Sequence, residues 1–119
     1  MATLPPGSPA PDWAEGELFL ATIRTSRGTI LVCRASSVPP EIDAHGPFTA
    51  FELAHDLDPS EPGLLALLGT SPGRLGISLL PYTTFDRGWL LVHRADANRV
   101  QDLWRQEGIT ITVPEETTP

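Results

Sequence analysis

Two short polar segments hold most of the residues in this chain that could do chemistry, Asp58-Pro59-Ser60-Glu61-Pro62-Gly63 and Thr83-Thr84-Phe85-Asp86-Arg87. The first has the layout of a helix start: an oxygen cap at Asp58, proline at the first helical position and Glu61 three residues after the cap. Backbone N–H groups near Ser60 to Leu64 would then face an anion, favoured by the helix dipole by roughly 0.3–1 kcal/mol. Gly63 has no Cβ and leaves room for close approach to the backbone. The second segment offers acceptors: the carbonyls of Thr83 to Asp86, the Asp86 carboxylate and two hydroxyls able to serve in either role. Donors on one side and acceptors on the other suit a ligand that carries a carboxylate and an ammonium on adjacent atoms.

Each of these residues also has a plainer use. Asp58 or Ser60 can be an ordinary cap, Glu61 a capping-box partner, Gly63 an aid to helix packing, and Thr83 to Asp86 a turn closed by the Asp86 side chain. Arg87 could meet a polar or acidic group, or stand solvated at a strand end. Phe85 and Trp89 suit sheet packing, Trp104 a core, and Trp13 a staple between the chain opening and a hairpin.

No catalytic set emerges, so a non-enzymatic protein without a cofactor is expected. His45, His55 and His93 share no metal-ligand spacing, and Cys33 lies in an apolar run where nothing lowers its pKa. Gly69-Thr70-Ser71-Pro72-Gly73 lacks the lysine of a phosphate loop.

The elements that must position these residues follow from periodicity. Leu18 to Ile23 and Thr29 to Cys33 are β-prone runs around Thr25-Ser26-Arg27-Gly28, a hairpin over 17–34. Ser36 to Pro47 reads as a connecting loop and Phe48 to Ala54 as a strand. Leu64, Leu65, Leu67 and Leu68 give a helical face, with Gly69 and Pro72-Gly73 placed to end or distort it early. Ile77 to Tyr82 and Trp89 to His93 form a strand pair. A second helix carries Ala97, Val100, Leu103 and Trp104 between a cap at Asp96 and a stop at Gly108. Ile109, Ile111 and Val113 alternate as a last strand. The expected class is α+β: a ferredoxin-like βαββαβ unit over 48–113, with the hairpin extending its sheet. Residues 13–113 are expected as a single domain, behind a proline-rich irregular arm over 1–12 and ahead of a tail over 114–119.

Composition narrows the partners. The 119 residues carry a formal charge of −7, and all eight cations are arginines. That balance disfavours nucleic acid and anionic membranes, whose affinity needs clustered cations. Apolar stretches fall far short of the roughly 20 residues of a membrane helix, so a cytoplasmic location is expected.

The stretch Gly76-Ile77-Ser78 through Tyr82-Thr83-Thr84-Phe85-Asp86 to Trp89-Leu90-Leu91-Val92 resembles the signature of ACT domains of the cytosolic arginine-sensor type. Pro11, Trp13-Ala14, Phe19, Thr22, Arg24-Thr25 and Leu31-Val32-Cys33 are similar to the preceding segment of small bacterial members. The resemblance covers roughly 11–113. It implies a regulatory domain that binds a free amino acid and pairs with a second ACT unit, here as a homodimer. Carried over, the contacts would come from Asp58, Ser60 and Gly63 and from Thr83, Thr84, Phe85 and Asp86, with Arg87 beside them. A ligand-free ACT-like dimerisation or interaction module is the alternative. Three positions depart from the pattern: the proline-rich arm replaces a first strand, the first helix is interrupted, and Gly88 stands where the arginine-sensor type has an acid. A guanidinium therefore finds no carboxylate there to match its donors.

Overall fold

The computed structural model describes residues 1–14, 21–53, 58, 61–84, 87–109 and 111–112, the last two by backbone alone. The predicted positions Leu18 to Leu20, Ala54, His55, Ser60, Phe85, Asp86 and Val113 lie outside them. The chain forms two compact units, one built on Met1–Phe48 and the other on Thr49–Glu115. Among the described residues it is an α+β protein with two sheets.

The first unit is a three-stranded antiparallel sheet in the order β1-β3-β2, of β1 (Ala2–Leu4), β2 (Ala21–Thr25) and β3 (Gly28–Val32). The predicted hairpin is present, closed by the Thr25↔Gly28 pair. It does not extend the sheet of the second unit. Its third strand comes instead from the chain opening, which was expected as an irregular arm. The reason is that the prolines start only at Pro5, leaving Ala2-Thr3-Leu4 with their backbone donors. Ala2 is fully buried, and the Thr3 N–H bonds the Asp43 carbonyl at 2.9 Å. Gly28 is fixed by this strand, because a Cβ there would stand 2.9 Å from the Leu4 carbonyl oxygen. Trp13 packs on a small core of Ala2, Ala14 and Leu31, tying the opening to the hairpin as its position suggests.

The second unit runs β4 (Phe48–Leu53), α1 (Leu64–Arg74), β5 (Leu80–Thr83), β6 (Gly88–His93), α2 (Arg94–Gln106) and β7 (Ile111–Thr112). Its sheet has the order β5-β6-β4-β7, a βαββαβ plan compatible with a ferredoxin-like fold. Phe51 and Leu53 of β4, Leu90 and Val92 of β6, Leu64 and Leu68 of α1, and Ala97, Val100 and Trp104 of α2 form the core.

Helix α1 passes unbroken through Gly69, Pro72 and Gly73. Proline at 72 removes the N–H that would bond the Leu68 carbonyl one turn back. The Trp104 indole N–H supplies that bond at 2.8 Å, so the core is satisfied and the helix continues to Arg74. The stop comes at Gly76, with φ of 73°: Gly76 N–H bonds the Gly73 carbonyl and Ile77 N–H the Pro72 carbonyl, a Schellman ending. Helix α2 ends the same way at Gly108, as its sequence predicts. It starts earlier than predicted, with His93 as the cap, because β6 runs straight into it; Asp96 lies in its first turn.

Candidate functional site

The predicted site residues lie in the second unit. Helix α1 begins at Leu64, and Gly63, with φ of 86°, is its cap; no side chain caps it. The predicted start at Asp58 is therefore moved forward, and Asp58 and Glu61 are not side-chain caps of α1. Pro62 explains this: it disfavours helical backbone at Glu61 and donates no N–H. Ahead of the helix, the Glu61 N–H bonds the Asp58 carbonyl at 3.0 Å. Gly63 is set by its left-handed backbone and not by helix packing, since a Cβ there would meet nothing within 4 Å.

The other segment joins β5 to β6 beyond the Thr83↔Gly88 pair. Thr84 organises it: its N–H bonds the Arg87 carbonyl at 2.8 Å, and its hydroxyl accepts the Arg87 N–H at 3.2 Å. Arg87 is not simply solvated; its guanidinium donates to Glu52 of β4 at 2.7 Å. The half-exposed pair joins the end of β4 that leads toward α1 to the β5–β6 turn. Glu52 was not singled out from sequence; its polar break in Phe48 to Leu53 is the only signal it gives. Thr83 is exposed at the strand end, and Tyr82 pairs with Trp89 across the two strands. Burial pushes the Tyr82 hydroxyl above its ordinary pKa.

Cys33 is buried in the first unit, and desolvation raises its thiol. His93 is exposed at the start of α2. His45 borders a concave pocket of about 290 Å³ in the first unit, walled by Val38, Pro39, Pro40, Ile42 and Pro47. The sequence shows that stretch only as a connecting loop. Among the described residues no His, Cys, Asp and Glu cluster could hold a metal, and no helix is long and apolar enough to cross a membrane.

No family model and no curated protein matches the chain. Among solved structures it is similar to protein Atu0741 from Agrobacterium tumefaciens, with a TM-score of 0.81 at 25% identity, over 90% of this chain and 80% of that one.

Proposed function

We propose that this chain is a small non-enzymatic ACT-type protein that binds a free amino acid and works as a regulatory or sensing module. The observation that supports it most is the Arg87–Glu52 pair, which brings the β5–β6 turn to the end of the sheet from which β4 leads to α1. There, an α1 start without a side-chain cap can take a carboxylate, while turn carbonyls and Glu52 can take an ammonium. A thermal-shift screen of the free amino acids at millimolar concentration tests this. A ligand at 100 times its Kd adds about 2.7 kcal/mol of stability; no shift with any of them refutes binding by the free protein.

The second reading is a ligand-free interaction module with the same fold. It is favoured by the way Thr84 and Arg87 already use their polar groups within the turn and on Glu52.

A further inference from the structure

In the first unit β2 has β3 on one side, and no described strand lies on the other. Edge strands are commonly blunted by lysine, proline or a bulge. Ala21-Thr22-Ile23-Arg24-Thr25 contains neither of those residues, and it pairs with β3 residue for residue. Thr22 to Thr25 are exposed, Ile23 by 41%.

The register decides which backbone groups are free. Thr25 and Gly28 close the hairpin around the two-residue loop Ser26-Arg27, and so form a hydrogen-bonded pair. Alternation then gives Ala21, Ile23 and Thr25 their bonds to β3, and turns the N–H and C=O of Thr22 and Arg24 outward.

We propose that this edge pairs with the β2 of a second copy, antiparallel about a two-fold axis at Ile23. In that register Thr22 of one copy meets Arg24 of the other, so every outward donor finds an outward acceptor. Ile23 faces its own counterpart in the close, non-hydrogen-bonded position. Ile30, opposite Ile23 on β3, extends the contact to an apolar strip across the axis. No like charges oppose each other, because Arg24 faces a threonine. A one-residue slip would lose both the backbone match and the isoleucine contact. The proposal does not depend on the amino-acid reading.

Sedimentation of the full chain over a concentration series should give a mass of twice 12.9 kDa, and Thr22→Pro, which removes only an outward donor, should weaken the dimer at least tenfold with unchanged circular dichroism. Ile23→Cys should form a covalent dimer under mild copper-phenanthroline oxidation. Thr3→Cys, on β1, should not. A monomer at high concentration, a dimer that ignores Thr22→Pro, or equal cross-linking by both cysteine variants would overturn the proposal.

Discussion

Replacing Trp104 by phenylalanine tests how α1 tolerates a proline in its interior. Trp104 is 1% exposed, packs edge-to-face on Phe51 with ring centroids 5.3 Å apart, and donates its indole N–H to Leu68. Trp104→Phe keeps a ring against Phe51 but leaves the Leu68 carbonyl buried without a donor. That costs about 1–3 kcal/mol, and the space left by the smaller ring about 1–2 kcal/mol more. In a Pro72→Ala background, residue 72 regains the N–H that reaches Leu68 within the helix, so only the space should be felt. The two substitutions should therefore couple by about 1–3 kcal/mol. Urea unfolding of the four proteins, followed by far-UV circular dichroism, measures this. Additivity to within about 0.5 kcal/mol would refute the reasoning.

Three further outcomes follow from the same geometry. Gly28→Ala sets a Cβ against the Leu4 carbonyl and should cost about 1–3 kcal/mol in thermal or urea denaturation. Gly108→Ala meets no neighbour but must hold a left-handed backbone, so its cost should be about 1–2 kcal/mol, read from the same curves. Burial raises the Cys33 thiol, so the folded chain holds that proton more tightly than the unfolded one. Stability should be full below the thiol's ordinary pKa and fall as pH rises through it toward the raised value. Cys33→Ala should flatten that fall, leaving a smaller one from Tyr82, whose raised pKa acts in the same direction.

Much of the second unit was legible because its signals are local. Gly108 stops α2 and Trp104 enters the core as their positions dictate, and Ala97, Val100 and Trp104 lie on one buried face. Pro62 was equally visible and should have moved the start of α1 past Asp58; its restriction on Glu61 outweighs the capping pattern. Of the candidate site, the place of Thr83 and Thr84 between two strands was readable. The partner of Arg87 was not, because Glu52 lies on another strand and 35 residues away.

By itself, the sequence determined the hairpin, the βαββαβ order and the end of α2, since each depends on neighbours within a turn or a pleat. The tertiary structure alone decided three things: that Ala2–Leu4 joins β3, that Pro72 leaves α1 intact, and that the hairpin belongs to its own sheet. Each turns on where a backbone N–H or C=O finds its partner. Those partners, β3 for the opening strand and Trp104 for Leu68, come from distant sequence that only the folded chain brings within hydrogen-bonding reach.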